Sequence, residues 1–387
     1  MRHDGAVSIP FAVSERSTVG IEWELALVDV DSGDLRQVAQ TILDAVAPDD
    51  GEHPHIRQEL LLNTVEVVSG VRHTVKEAGA DLDRAIEEIR TITDPLRVEL
   101  MCAGTHPFGR WSHQKVTDKA RYATLIDRTQ WWGRQMLIYG VHVHVGIEDR
   151  EKVLPISAAM LSYYGHLQAL SASSPFWGGK DTGYASNRAL MFQQLPTAGL
   201  PFHFQQWDQF EAYVDDMLTT GVIDHLDEIR WDLRPSTKFG TLEVRICDGI
   251  PSMSELLSIS ALTHCLVEHF SSELDAGRTL PDIPPWFAQE NKWRSARYGM
   301  DAILILDEHA EEELVTTDLE KLLVRLEPVA ERLGCSEELD GVRAIMKTGA
   351  SYQRQRAIAE ANDGELDAVV KSLVEEMRAG HPLLNVV

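Results

Sequence analysis

The sequence predicts an α+β protein built on a largely antiparallel sheet, and three observations carry that expectation. Segments with strand periodicity lie scattered among amphipathic helices, without the regular strand-helix alternation of a doubly wound sheet. Two of them, IRWDLRP at 229–235 and TLEVRICD at 241–248, are joined by the short link STKFG and read as a hairpin. Most strand candidates also carry one apolar and one polar face, so a sheet made from them buries one side and gathers charge on the other.

In chain order, residues 18–29 (TVGIEWELALVD) put Val19, Ile21, Trp23, Leu25 and Leu27 on one face and Gly20, Glu22, Glu24 and Ala26 on the other. A helical stretch over 35–46 follows the Asp31-Ser32-Gly33 turn. NTVEVVS, 63–69, is β-branched and carries Glu66. Between 73 and 96 the apolar positions Val75, Ala78, Leu82, Ala85, Ile89 and Ile92 recur every three or four residues, an amphipathic helix. RVELMCAGT, 97–105, returns to strand and runs into His106-Pro107-Phe108-Gly109; a helical region over 122–136 comes next, with Trp131, Trp132 and Met136 expected in the core. GVHVHVG, 140–146, is a strand, followed by one helix of about five turns over 151–172. From 252 the chain is mostly helical, broken by the proline-rich 281–285, and the acidic run 307–313 reads as a solvated helix or loop.

Composition bounds the function. A chain of 387 residues, 44% hydrophobic and 25% charged, buries a large core, and one catalytic unit over 1–387 is expected, strand-rich over 18–250 and helical over 252–387. A net charge of −25 repels phosphate backbones and acidic membranes, so neither nucleic acid nor a membrane is an expected partner. A local basic cluster still binds a small anion, because charge is felt over about 8 Å, not over the whole molecule. Four cysteines without metal-type spacing fit a reducing compartment. The N-terminal lead MRHDGAVSIPFAVSERS lacks a signal-peptide apolar core, and no apolar run approaches the ~18 residues of a membrane span, so a cytoplasmic location is expected. Oligomeric state stays open, a homo-oligomer included.

In GVHVHVG the valines share a face, leaving His142 and His144 together on the other, about 7 Å apart. Alone, such a pair is most simply two polar residues on a half-exposed strand. Its company changes the reading: Glu22, Glu24, Glu66, Glu243 and Arg245 also sit in β-rich segments. Carboxylates crowded into a half-buried place raise one another's pKa unless a cation neutralises them. Carboxylate oxygens with one imidazole suit Mg²⁺ or Mn²⁺, and such ions keep open positions for phosphates. No P-loop, Rossmann glycine fingerprint or kinase signature occurs, so a nucleotide is gripped through metal and side chains, with Arg245, Arg234, Arg188, Lys115 and Arg121 as candidate anion ligands.

Six segments in order between residues 18 and 305, VGIEWEL, VEVVSGV, GTHPF, GVHVHVGI, WDLRPSTKFGTLEVRICDG and ENKWRSARYGMDA, resemble the type 2 glutamate-cysteine ligase family, also called carboxylate-amine ligases. The resemblance implies a glutamine-synthetase-like fold, a curved and largely antiparallel sheet with ATP and magnesium on its concave face and helices on its convex face. It assigns Glu22, Glu24, Glu66, His142 and Glu243 to metal ions, His144 to phosphate and Arg245 to the transferred phosphoryl group; Arg234, one of the anion candidates above, is expected beside them as a catalytic residue. Lys115, Arg121 and Arg188, with Arg245, are left for the nucleotide. Glu59 ranks lower as a ligand, because its parity relative to Glu66 is wrong for one uninterrupted strand. Residues beyond about 306 fall outside the resemblance.

The implied chemistry is ATP-dependent joining of a carboxylate, the γ-carboxylate of glutamate, to an amine, with cysteine as the family's usual acceptor. A carboxylate is a poor electrophile, and an acyl phosphate supplies a leaving group; its formation needs positioning and charge neutralisation more than covalent help. A metal-dependent hydrolase and a ligase using another amine are the alternatives. Asn291, Arg294 and Arg297 recur at three-residue spacing and are expected to border the site; Cys247 is expected on the face of Glu243 and Arg245, and Asp232 to pair with a flanking arginine.

Overall fold

Strict alternation over residues 18–29 becomes an eleven-residue strand, β1 (Val19–Asp29), whose odd-numbered side chains are all buried apart from Asp29. The computed structural model describes residues 8–48 and 51–383; the first seven residues of the N-terminal lead lie outside them. Around β1 are β2 (Ile56–Gln58), β3 (Thr64–Val68), β4 (Val98–Met101) and β5 (Gly140–Gly146). The remaining strands are β6 (Phe176–Trp177), β7 (Lys180–Asp181), β8 (Leu233–Ser236), β9 (Thr241–Asp248), β10 (Ile303–Ile305) and β11 (Glu312–Leu314). One seven-stranded sheet runs β2-β3-β1-β5-β9-β8, with β4 also on β1, and every pairing in it is antiparallel.

Helices α1 (Ala39–Val46), α2 (Val75–Thr93), α3 (Ala120–Thr129), α4 (Trp131–Arg134), α5 (Arg150–Leu161), α6 (Tyr164–Ser171) and α7 (Asn187–Phe192) lie between strands. They are followed by α8 (Trp207–Thr219), α9 (Met253–Asp275), α10 (Pro285–Tyr298), α11 (Val315–Leu333), α12 (Ser336–Thr348), α13 (Ser351–Ala361) and α14 (Leu366–Ala379). The main core joins the apolar sheet face (Ile21, Trp23, Leu25, Val67, Val143, Val244) to the stripe Val75, Ala78, Leu82, Ala85 and Ile89 of α2, and to α5, α6, α9 and α11. Thr74 caps α2, its hydroxyl accepting from the Glu77 N–H while the Glu77 carboxylate accepts from the Thr74 N–H.

Helices also cover part of the opposite sheet face. Ala26, Val28 and Met101 pack in a second cluster against Ile358, Val369 and Leu373 of α13 and α14. The C-terminal helices therefore close one end of the polar face, where β1 switches from glutamates to Ala26 and Val28. The single helix expected over 151–172 is two, because the Ser162 and Tyr163 N–H groups bond three residues back and tighten the turn. The region 122–136 is likewise split at Gln130, whose φ is 46°. Part of the acidic run 307–313 enters the small β10-β11 hairpin. Trp131 and Trp132 are not core residues: they are 59% and 41% exposed, Trp131 meeting Trp111 edge-on, whereas Met136 is buried.

Two departures shape the site. Regular β8 begins at Leu233, since Trp231 leaves the ladder to bridge Gly199 and enters an aromatic cluster with Phe202, Phe204, Phe210 and Tyr213. In the β5-β9 pair Val143 faces Val244 but Val141 faces Cys247, so β9 carries an extra residue opposite His142. That bulge flips the alternation, and Cys247 joins the apolar core, not the charged face. Leu82, with no exposed surface, anchors α2 on the sheet. Leu82→Ala is expected to lower unfolding free energy by about 2–5 kcal/mol in urea titration.

Candidate functional site

Cross-strand partners share a sheet face, and the register collects the charged residues of six strands on one side. Glu24 stands opposite Glu66, Glu22 opposite His142, Gly20 opposite His144, and Glu243 opposite both His144 and Arg234. Arg57 of β2 faces Glu66. Over this face opens a cavity of about 900 Å³, lined among others by Glu22, Glu24, Glu59, Glu66, His142 and His144. A second chamber of about 520 Å³ shares Glu24, Glu59, Arg121, His142, Arg234 and Arg245 with the first, and adds Arg188, Arg230, Tyr122 and Phe192.

Two groups of ligand-type atoms converge here. Glu22, His142 and Glu243 each place one such atom within 4.8 Å of the others, as do Glu24, Glu59 and Glu66. The first group is internally neutralised. Glu22 reaches His142 Nδ1 at 2.9 Å and His144 Nε2 at 3.2 Å. Glu243, almost fully buried, accepts from Arg234 Nε at 2.6 Å and also from Arg245 Nη1. Burial pushes both carboxyls up, but the His144 charge beside Glu22, and Arg234 and Arg245 beside Glu243, outweigh it and hold both well below the ordinary range.

The second group lacks that compensation. Burial, then the neighbouring Glu59, raises Glu24 to about 7, although it accepts the Gly140 N–H at 2.5 Å. Burial and the surrounding carboxylates push Glu66 well above its usual value, and burial raises Glu59 too. Burial followed by Arg245 lowers His142 to about 4, so its imidazole is neutral at ordinary pH, and its buried Nε2 has no hydrogen-bond partner. His144 is different: burial pulls it down, yet Glu22 and Glu243 leave it raised, with Nδ1 2.9 Å from the Thr241 hydroxyl.

The structure thus brings Glu22, Glu24, Glu66, His142, His144, Glu243, Arg234 and Arg245 together, with Arg121 and Arg188 on the chamber walls. Lys115 lines neither cavity; its carbonyl accepts the Leu62 N–H. Glu59 belongs with Glu24 and Glu66, since the chain leaves the ladder after Gln58 and its parity relative to β3 does not apply. Arg57 and Tyr122 are not singled out by spacing, sitting in a three-residue strand and a helix without a motif, whereas alternation over 229–235 places Arg230 on the charged face with Arg234. Asn291, Arg294 and Arg297 line neither cavity: Asn291 bonds the Ile305 backbone, Arg294 pairs with Glu290 and Glu312, and Arg297 donates to the Gly183 carbonyl. Asp232 pairs with Lys292, not with a flanking arginine.

The fold that carries this site has counterparts among solved structures. The chain resembles a bifunctional glutathione synthetase from Pasteurella multocida (TM-score 0.65, 15% identity, 94% of this chain and 52% of that one). It also resembles a glutamate-cysteine ligase from Francisella tularensis solved in complex with AMP (TM-score 0.65, 12% identity, 95% and 90% covered). The fold is that of the glutamine-synthetase-like ligases.

Within that class, the model described as glutamate-cysteine ligase family 2 matches residues 18–372, and the chain belongs to this family. The match extends through α13 and into α14, beyond the limit near 306 expected from motifs alone. A Paenarthrobacter aurescens protein named "Putative glutamate--cysteine ligase 2-2" is 60% identical over 380 residues, 97% of this chain and 99% of its own. A Mycobacterium tuberculosis protein named "Putative glutamate--cysteine ligase 2" is 59% identical over 372 residues, 96% and 98% covered. The chain is a ligase.

Gly140 marks a close approach: a β-carbon there would lie 2.1 Å from the Arg188 guanidinium. Gly140→Ala is expected to displace that flexible side chain without unfolding the protein. Calorimetry with pyrophosphate should show affinity weakened about tenfold, ~1.4 kcal/mol; unchanged affinity removes Arg188 from anion binding.

Proposed function

We propose that this ligase is ATP-dependent, activates the γ-carboxylate of glutamate as an acyl phosphate, and passes the acyl group to an amine, with cysteine the first acceptor to test. The observation that carries this reading is the pair of acidic clusters, Glu22/His142/Glu243 and Glu24/Glu59/Glu66, beneath a cavity shared with Arg121, Arg234 and Arg245. The donor set, carboxylate oxygens with one neutral imidazole whose Nε2 is unpartnered, fits Mg²⁺ or Mn²⁺. Such an ion, when bound, neutralises phosphate charge and lowers the barrier to phosphoryl transfer.

The chain's own groups supply the rest. Arg245, half-buried and fixed by Glu243, presents a permanent positive charge to the transferred phosphoryl, with Arg234 held by the same carboxylate. His144 stands beside Glu22 to contact phosphate oxygen, while Arg121 and Arg188 orient the anionic substrates from the chamber walls. The amine attacks the acyl carbon, the C–N bond forms as the C–O bond to phosphate breaks, and the departing phosphate or a site carboxylate takes the ammonium proton. All these residues lie between 22 and 245; the helical remainder buttresses them, and we assign both parts to one catalytic unit.

With ATP, Mg²⁺ and glutamate, the protein should release ADP and phosphate when cysteine or another amine is added; no ADP with any amine rejects the reading. Amide hydrolysis without nucleotide would favour a metallohydrolase instead.

The acidic cluster also sets a pH dependence. Glu24 rises from 4.5 to about 7 on folding, so the folded state binds more protons than the unfolded state in that window, and its contribution to stability falls as pH rises through it. A divalent ion relieves this repulsion. Mg²⁺ should therefore raise the melting temperature more at about pH 8 than at about pH 5.5; equal shifts at both would remove Glu24 from the ion site.

A further inference from the structure

The segment ENKWRSARYGMDA contributes nothing to the cavity walls, yet it holds Lys292, which is 1% exposed. Burying an ammonium is costly unless it is paired and hydrogen-bonded. Lys292 Nζ donates to Asp232 Oδ2 at 2.6 Å, and the Tyr164 hydroxyl donates to the same oxygen at 3.0 Å. The ammonium also lies 5.5 Å from the centre of the Tyr164 ring. Three elements, α10, α6 and the segment before β8, therefore meet at one buried carboxylate.

The backbone of Asp232 points towards the site. Its carbonyl accepts the Arg245 N–H at 2.8 Å, at the bulge where β9 departs from register with β5, and its own N–H donates to Gly199 O at 2.8 Å. A bulge leaves a residue unpaired by the ladder and lets its direction be set from outside. Here the outside contact is Asp232, and the bulged Arg245 enters the chamber beside Glu243 and 3.4 Å from His142 Nδ1. The same helix tethers the segment leading to Arg188: the Ala296 carbonyl accepts both the Ala185 and Ser186 N–H groups, at 2.8 and 3.0 Å.

We propose that Lys292 is a positioning residue, which through Asp232 and Tyr164 fixes the β9 bulge and so aims the Arg245 guanidinium at the transferred group. This rests on the ligase reading for the use to which Arg245 is put, but the anchoring is a property of the buried triad. A bulk structural role would act through stability; a positioning role acts through Arg245 alone.

The variant Tyr164→Phe, Asp232→Leu, Lys292→Met removes all three polar groups together, so no buried charge is left unpaired. Its melting temperature should stay within a few degrees of the parent and KM for ATP within about threefold, while kcat for ADP release falls about tenfold to a hundredfold. In an Arg245→Ala background the same triple change should cost less than about twofold more, because the group it positions is gone. A triple variant retaining kcat, or a loss that multiplies with that of Arg245→Ala, overturns the proposal. Should the triple not fold, Asp232→Asn with Lys292→Met, which leaves no buried charge and keeps an acceptor for the Tyr164 hydroxyl, is read by the same criteria. A parent that releases no ADP sinks the ligase reading instead. The anchor is then judged on the crystal structure of the triple variant: the Arg245 guanidinium should leave its place beside Glu243 and His142, and an Arg245 that stays where it is in the parent overturns the proposal.

Discussion

Crowded negative charge under a single cavity is the constraint on which the rest of this structure depends. Glu22, Glu24, Glu59, Glu66 and Glu243 belong to two clusters whose ligand-type atoms lie within 4.8 Å of one another. An isolated carboxylate buried in low dielectric neutralises by taking up a proton, and several together do so more readily. The protein answers this differently in its two clusters: histidines and arginines hold Glu22 and Glu243 ionised, whereas Glu24, Glu59 and Glu66 are driven towards their protonated forms. The fold supplies the geometry, because antiparallel register places Glu24 against Glu66 and Glu22 against His142 without help from loops.

Much of this is legible in the sequence, because the two-residue period of a strand alone decides which side chains share a face. The alternation of β1 and β5 places Glu22, Glu24, His142 and His144 on polar faces, and the family motifs bring in Glu66 and Glu243. Legibility ends where the period breaks. The bulge in β9 moves Cys247 to the core, and the departure of Trp231 into an aromatic cluster shortens β8. The interruption after β2 releases Glu59 from the parity that ranks it low. Lys115 offers only its charge as a signal, and charge does not say which way a loop faces. Hydrophobicity places Trp131 and Trp132 in the core, although aromatic residues often remain partly exposed.

Long-range polar pairs are the least legible class. Asp232 and Lys292 are 60 residues apart and on different elements, and no periodicity links them. The sequence offers no clue to Lys292, and its helix neighbours Asn291, Arg294 and Arg297 are expected to share a different purpose, that of bordering the site. In the structure the neighbours share another, since Asn291 binds the Ile305 backbone, Ser295 binds Gln168, and Arg297 binds the Gly183 carbonyl. The helix holds surrounding segments in place by its polar groups more than by an apolar stripe.

The unequal neutralisation of the two clusters has a directional consequence for the proposed reaction. A cation gains most where the protein itself provides least positive charge, which is among Glu24, Glu59 and Glu66. The Glu22, His142 and Glu243 group already has guanidinium and imidazole partners, so an ion there competes with Arg245 for Glu243. Arg245 stands beside both groups, lining the two chambers that meet at Glu24 and Glu59. In the proposed reaction, a phosphate-bearing substrate at that junction would offer Arg245 a second anion and weaken its hold on Glu243, freeing that carboxylate for an ion. Substrate and second cation would then bind with positive cooperativity, each lowering the electrostatic cost of the other.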